Sequence, residues 1–300
     1  MRGGGGHDDA LAASRADCQA LVRREGHSFS VAPLFLPRRT RRDVAALYAF
    51  YRTVDDLVDE RPASCSPAAI VAELDGWRAW LRDPRAPGDG PIWAALGAAL
   101  TRHRIPHRYL DELLDGVAGD LVGRHLRTFA ELERSCYLVA GTVGLVLSAV
   151  LGIEDSAAPA SERGLGIATQ RTNVLRDVGE DLGRGLVYPP AEGLARFGCS
   201  RERLARRVVD ADFVALMRFQ IARARAYCRA GMTGIPALSR DSQLPILLAA
   251  RLYGGILRQI ERNGYDVLGR RARTRLPEKL WIAGRSYAQV RRGRPRPAPA

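Results

Sequence analysis

The sequence predicts an all-α domain, and three observations carry that prediction. Apolar residues recur at helical spacing through most of the 300 residues. No run alternates apolar and polar residues between hairpin turns, as paired strands would. Proline, glycine and serine fall between the periodic segments and punctuate them. No repeat of fixed period is present. Length alone allows one large domain or two smaller ones. The unbroken helical patterning selects one, over residues 12–285. A Gly-rich segment, residues 1–11, and a basic tail, residues 286–300, are expected to be disordered.

The elements follow in order. From Asp43 to Glu60, Val44, Leu47, Tyr48, Tyr51, Val54 and Val58 mark one helical face. "SPAAIVAELDGWRAWLRD" offers Ser66 as a cap and Pro67 in the first turn. "GPIWAALGAALTRH" repeats that logic at Pro91. "HRYLDELLDGVAGDL" is amphipathic. Tyr137 to Ile153 is a run of 17 residues without charge. Such a run sits at the bottom of the roughly 17–25 residues a membrane span needs, and no second run matches it, so a buried helix wall is expected. Gly141 and Gly144 leave room beside that wall for a helix or a ligand chain. "RGLGIATQRTNVLRDVGEDLGRG", "RERLARRVVDADFVALMRFQIARARAYCRAG" and "SQLPILLAARLYGGILRQIERNGYD" complete the helical set.

The net charge is +13, carried almost wholly by arginine, since Lys279 is the only lysine. A basic surface points to polyanions: nucleic acid, anionic lipid or a diphosphate. A high-GC genome gives the same arginine bias with no functional cause. The five cysteines are scattered with no CxxC pair, which argues against a disulfide framework or zinc and for a reducing compartment. The start, "MRGGGGHDDA", has no apolar signal core, so a cytoplasmic location is expected.

The chemistry concentrates in two acidic stretches. In "TVDDLVDE", Asp55 and Asp59 are four apart and share one helix face, while Asp56 and Glu60 pair on a neighbouring face. Like charges at that spacing repel by a few tenths of a kcal/mol per pair (about 0.2–0.5), so the cluster wants a counter-charge. In "TQRTNVLRDVGEDLGRG", Asn173, Asp177 and Asp181 form a second stripe, with Gln170 and Arg176 close by. Hard oxygen ligands without histidine or cysteine suit Mg²⁺, or Mn²⁺ in its place, with substrate phosphate completing the shell. One such motif alone is more often a solvated acidic face paired with arginine. Two, both inside apolar helices, need a metal or ion pairs to be tolerated. A metal–diphosphate site with glycine-rich apolar walls behind it describes a pocket for a prenyl diphosphate.

Those stretches also carry a resemblance. "RRDVAALYAFYRTVDDLVDE", "TFAELERSCYLVAGTVG", "QRTNVLRDVGEDLGRGLVYPP" and "RLYGGILRQIERNGYDVLGRRA" make the chain resemble the squalene/phytoene synthase family of head-to-head prenyl transferases. "VAGTVG" and "IERNGYDVLGRRA" look more like its phytoene synthases. The resemblance implies an isoprenoid synthase-type helical bundle around a central cavity. It implies Asp55 and Asp59, with Asn173, Asp177 and Asp181, as metal ligands. Tyr48, Arg52, Gln170, Arg176, Tyr253 and Arg270 would contact diphosphate, and His27 and Ser28 would lie in a closing flap. Tyr137 would shield the cationic intermediate. Two departures stand out: Ser135 replaces a usual tyrosine, and Pro189 a usual leucine.

The implied reaction condenses two geranylgeranyl diphosphates through a cyclopropyl diphosphate, with Mg²⁺ and without NADPH. The alternatives are squalene, dehydrosqualene or presqualene diphosphate synthesis from farnesyl diphosphate. Outside the class stands a non-catalytic helical protein that binds polyanions through its arginines. No nucleic-acid partner is expected, because the motif acids would oppose one. The apolar product implies peripheral contact with the cytoplasmic membrane.

Overall fold

The computed structural model describes residues 4–25, 32–59, 65–121 except Pro87 and Asp89, 125–152 and 158–293. Among them the chain is helical, and a lone parallel bridge between His125 and Val187 is the only one outside named strands. The expected all-α domain is what the chain forms. In order come α1 (Gly4–Glu25), a 3₁₀ turn (Ala32–Phe35), α2 (Arg38–Asp59), α3 (Pro67–Leu81), α4 (Trp93–His103) and α5 (His107–Leu121). Then α6 (Phe129–Cys136) runs through a π-helical turn (Tyr137–Gly141) into α7 (Thr142–Leu151). The second half holds α8 (Ala158–Arg176), α9 (Val178–Gly183), α10 (Ala191–Arg196), α11 (Arg201–Ala205), α12 (Ala211–Met232), a 3₁₀ turn (Ile235–Ala237), α13 (Arg240–Arg262) and α14 (Leu276–Arg291).

The largest core lies in the first half. Leu47, Phe50 and Val54 of α2 are fully buried against α3, α4 and α5. Trp77 and Trp93 stack with ring centroids 3.9 Å apart, and Trp80 meets both edge-on. A buried ion pair pins α2 to α4: the Asp43 carboxylate accepts from Arg102 Nη1 at 2.7 and 2.8 Å and meets His103 Nε2 at 2.9 Å. Ser66 caps α3 by accepting from Ala69 N, as its sequence position predicts, with Pro67 in the first turn. Pro91 does not repeat that role. It stands in the turn before α4, whose cap position is Ile92 with no side-chain bond.

The expected disordered ends are at most shorter than foreseen, their outermost parts, 1–3 and 294–300, lying outside the described residues. Helix α1 already begins at Gly4 and packs on α2 and α4. Cys18 is buried and Ser14 Oγ accepts from Ala95 N at 3.0 Å, so tertiary contacts override the poor helix propensity of the glycines. Helix α14 runs on to Arg291, beyond the expected boundary at 285, because buried Ser286 accepts from Arg251 Nη1 at 3.0 Å. The five cysteines are free, as their spacing predicts.

The uncharged run forms part of a 23-residue helical rod, Phe129–Leu151, which among the described residues is the one helix long and apolar enough to cross a membrane. Half of its most apolar window is buried inside the bundle, and the rod packs on α2, α5 and α8. That is the expected helix wall. Val143 and Leu147 stay only partly buried there. Two glycines set how closely its neighbours approach. A Cβ on Gly166 of α8 would stand 2.1 Å from Ala140 O in the π turn, and one on Gly116 of α5 would stand 2.9 Å from Leu138 Cβ.

Candidate active site

Helix α2 carries the first motif. Its inner face is apolar, so Asp55, Asp56 and Asp59 are carried past the core to the side where α2 leaves it. Arg52 pairs with Asp56 one turn on. Asp55 is open to solvent, yet the protein walls around it push its carboxyl up to about 7. Asp59 adds to that rise and Arg52 opposes it. A third element joins here, because the charge of Asp120 on α5 also acts on Asp55. Glu60 lies outside the described residues.

The second motif spans the end of α8 and the start of α9. Asp177 interrupts the helix, with φ −102° and ψ 8°, but the four-residue bonding continues through it. Asp177 N donates to Asn173 O at 2.9 Å and Asp181 N to Asp177 O at 2.9 Å, so the three side chains keep nearly helical register. Arg176 grips the Asp177 carboxylate at both oxygens, at 2.7 and 2.6 Å. Arg271 grips it again at 2.9 and 3.1 Å and reaches Glu180 at 3.1 Å. Asp181 has its carboxyl pushed up to about 7, first by burial and then by the charge of Asp177.

The two motifs face each other. Arg184, just after α9, reaches Asp59 at 3.4 Å, and Asp59 is among the charges that raise Asp181. Helices α2 and α8 do not pack flank to flank; α7 packs on both. Tyr48 and Tyr253 belong to the same place. Burial raises the Tyr48 hydroxyl, and Arg52, Asp56 and Tyr253 are among the groups acting on it. Burial likewise raises Tyr253, whose neighbours include Arg176, Asn173 and Asp177. Gln170 accepts from Asn173 Nδ2 at 3.3 Å.

One expected diphosphate contact falls elsewhere. Arg270 turns away from the acids: it donates to Asn263 O at 3.1 Å and pairs with Asp266 at 3.6 Å. Its neighbour Arg271 occupies the place foreseen for it. The loop holding Arg271 is fixed to α9, where Gly179 N donates to Val267 O at 3.2 Å. Arg207 bridges the two, donating to Leu268 O and Gly179 O at 2.8 and 2.9 Å. Tyr137 donates to Glu112 Oε2 at 2.5 Å, and Arg163 stands over its ring. Glu112 precedes Asp120 on α5 by eight residues, a rise of about 12 Å, so Tyr137 sits two turns from the acidic end. His27 and Ser28 lie outside the described residues.

Asp120, Arg184 and Arg271 are the additions. None stands in a four-residue acidic pattern, so spacing gave no reason to single them out. Their membership comes from the packing of α5, α9 and the loop after α13 around one gap.

The donor set fits a hard divalent ion. Asn173 Oδ1 is buried without a hydrogen-bond partner, an acceptor aimed at something absent from the protein's own bonding. Among the described residues no three histidine, cysteine or acidic side chains form a ready-made cage.

A family model for squalene/phytoene synthase matches residues 22–278. The chain belongs to the squalene/phytoene synthase family. It is 37% identical over 280 residues to a 15-cis-phytoene synthase of Synechocystis sp., covering 88% of this chain and 81% of that protein. It is 36% identical to the chloroplastic phytoene synthase 3 of Zea mays, over 93% of this chain and 67% of that one. Among solved structures, a ligand complex of a dehydrosqualene synthase superposes with a TM-score of 0.87 at 26% identity, covering 95% and 99% of the two chains. A squalene synthase from Alicyclobacillus acidocaldarius gives 0.77 at 26%, covering 85% and 96%. The family is one of prenyl transferases, so the chain is an enzyme of that class acting on prenyl diphosphates.

Proposed function

We propose that this enzyme joins two geranylgeranyl diphosphates head to head into phytoene. The observation that carries this reading is its identity to phytoene synthases over most of both chains. The facing acidic motifs support it, because two diphosphates must be held and released.

Asp55 and Asp59 of α2, with Asn173, Asp177 and Asp181 of α8 and α9, would hold Mg²⁺ or Mn²⁺. When bound, the ion supplies positive charge to the departing diphosphate. Arg52 and Arg176, with Tyr48 and Tyr253 beside them, would donate to phosphate oxygens. Val143 and Leu147 of α7, only partly buried against the core, would offer apolar surface to the prenyl chains and help exclude water from carbocations. One C–O bond breaks, and the double bond of the second substrate attacks the allylic cation. Loss of a proton closes a cyclopropyl diphosphate. A second C–O cleavage, rearrangement and second proton loss give phytoene. Two diphosphates and two protons leave and no hydride enters, so NADPH is not required.

The second reading, dehydrosqualene or squalene synthesis from farnesyl diphosphate, draws on the two structural relatives. Product analysis with C15 and C20 diphosphates, with and without NADPH, separates the two. Phytoene from the C20 substrate alone is expected. Consumption of C15 with C20 untouched would overturn the proposal. The polyanion-binding reading predicts salt-dependent binding of nucleic acid and no turnover of either substrate.

A further inference from the structure

Helix α14 lies on α13 by one side only. Ile282 and Ser286 are buried there, and Ile282 packs with Leu248 and Leu252 of α13 and Ala32 of the first 3₁₀ turn. The opposite side is apolar too. Leu276, Leu280 and Tyr287 are spaced by four and eleven residues, which returns them to one face of a helix of 3.6 residues per turn. They are 68%, 65% and 46% exposed, and Trp281 beside them is 59% exposed. Leu34 and Phe35 extend the patch from the neighbouring turn, at 63% and 45% exposure. Phe35 and Tyr287 line one cleft of about 550 Å³ together with Leu244, Val290 and the polar Arg240, Gln243 and Arg291, so the two pieces flank one opening. Single exposed leucines need no explanation, but large apolar side chains gathered on two adjoining elements mark a contact surface.

Charge selects the partner. Arg273, Arg275, Lys279, Arg285, Arg291 and Arg292 lie on or beside α14. Its own acid, Glu278, is engaged by Arg258 and Arg262 at 3.4 and 3.7 Å. Among the described residues that line the cleft, Asp241 is the acid. Arg285 lies over the Trp281 ring and Arg291 over Tyr287, which sets cations at the rim of the aromatic surface. Leucine and tryptophan on one face with arginine around it is the pattern of a helix that lies in a lipid interface. A two-fold contact with another copy would set the same basic row against itself. A nucleic acid would gain nothing from exposed leucines.

We propose that the α14 face and the adjoining Leu34–Phe35 turn dock this protein on an anionic lipid bilayer. The surface is argued from its own residues and stands whichever prenyl diphosphate the enzyme uses. The test is sedimentation of the full chain with vesicles of phosphatidylcholine, alone or mixed with phosphatidylglycerol. Binding to the mixed vesicles and its weakening by salt are expected. The double variants L276S/L280S and R275E/R291E should each bind about tenfold less while keeping wild-type melting and wild-type turnover of detergent-dispersed substrate. Fluorescence of Trp281, taken as the difference from Trp281→Phe, should shift to the blue on the mixed vesicles. Equal sedimentation on both vesicle types, or no loss in the leucine variant, would overturn the proposal. So would a wild-type dimer that L276S/L280S splits without any lipid dependence.

Discussion

At Asp177 two kinds of partner compete for the same carboxylate. Arg176 and Arg271 hold both of its oxygens when no metal does. Arg270, one residue away, holds only its own loop. Arg271→Ala should therefore lower turnover by about 10–100-fold, the scale of a lost charge-assisted contact. Arg270→Ala should change it little. Steady-state kinetics of the two variants checks this, and equal losses would contradict the placement. Asp55 and Asp181 allow a pH argument. Each is pushed from 3.8 up to about 7 in the fold, so the native state holds the proton more tightly than the unfolded chain. The stability they contribute is complete below their unfolded value and is lost as pH rises through about 7. The metal-free protein should thus melt lower at about pH 8 than at about pH 6, and Mg²⁺ should narrow that gap by stabilising the ionised carboxylates at the higher pH. Asp55→Asn should raise the metal-free melting temperature at the higher pH while removing turnover. Thermal melts with Mg²⁺ and with EDTA read both effects; a flat, Mg²⁺-insensitive profile would count against the shifts.

At the scale of elements, α8 sets the geometry of the second motif by lying close against the π turn. Gly166 makes that approach, with Ala140 O 2.1 Å from where a Cβ would stand. The obstacle is backbone, so it cannot rotate aside. Gly166→Ala should force α8 outward, cost about 1–3 kcal/mol of stability, and lower turnover by displacing Asn173 and Asp177. Denaturant unfolding alongside kinetics tests it; an unaltered midpoint would mean the two elements are not in register contact. A π turn in mid-helix often marks a functional site. Here it places Tyr137 toward Glu112 and leaves the acidic end of α5 to Asp120.

Across the whole molecule, the parts of the fold that repeat were legible in the sequence. Apolar spacing gave the helices, and Ser66 with Pro67 gave the start of α3. The uncharged run gave the central wall. The two four-residue acidic stripes marked the two facing motifs of the candidate site, because that spacing fixes a shared helix face before any tertiary contact exists. What failed was set by tertiary contact alone. The first helix begins at Gly4 and the last runs to Arg291 because Cys18, Ser14 and Ser286 are buried against other helices. Arg271 stands at Asp177 because Arg207 and Gly179 fix its loop, and no local pattern distinguishes it from Arg270. In the proposed mechanism the two motifs act together as one metal–diphosphate site. Diphosphate release from geranylgeranyl diphosphate, measured for wild type and for Asp177→Ala with Mg²⁺ and with EDTA, tests it most directly. Turnover is expected only with Mg²⁺ in the wild type, with a loss of about a thousandfold or more in a variant that still melts cooperatively. Unchanged turnover in that variant, or in EDTA, would contradict it.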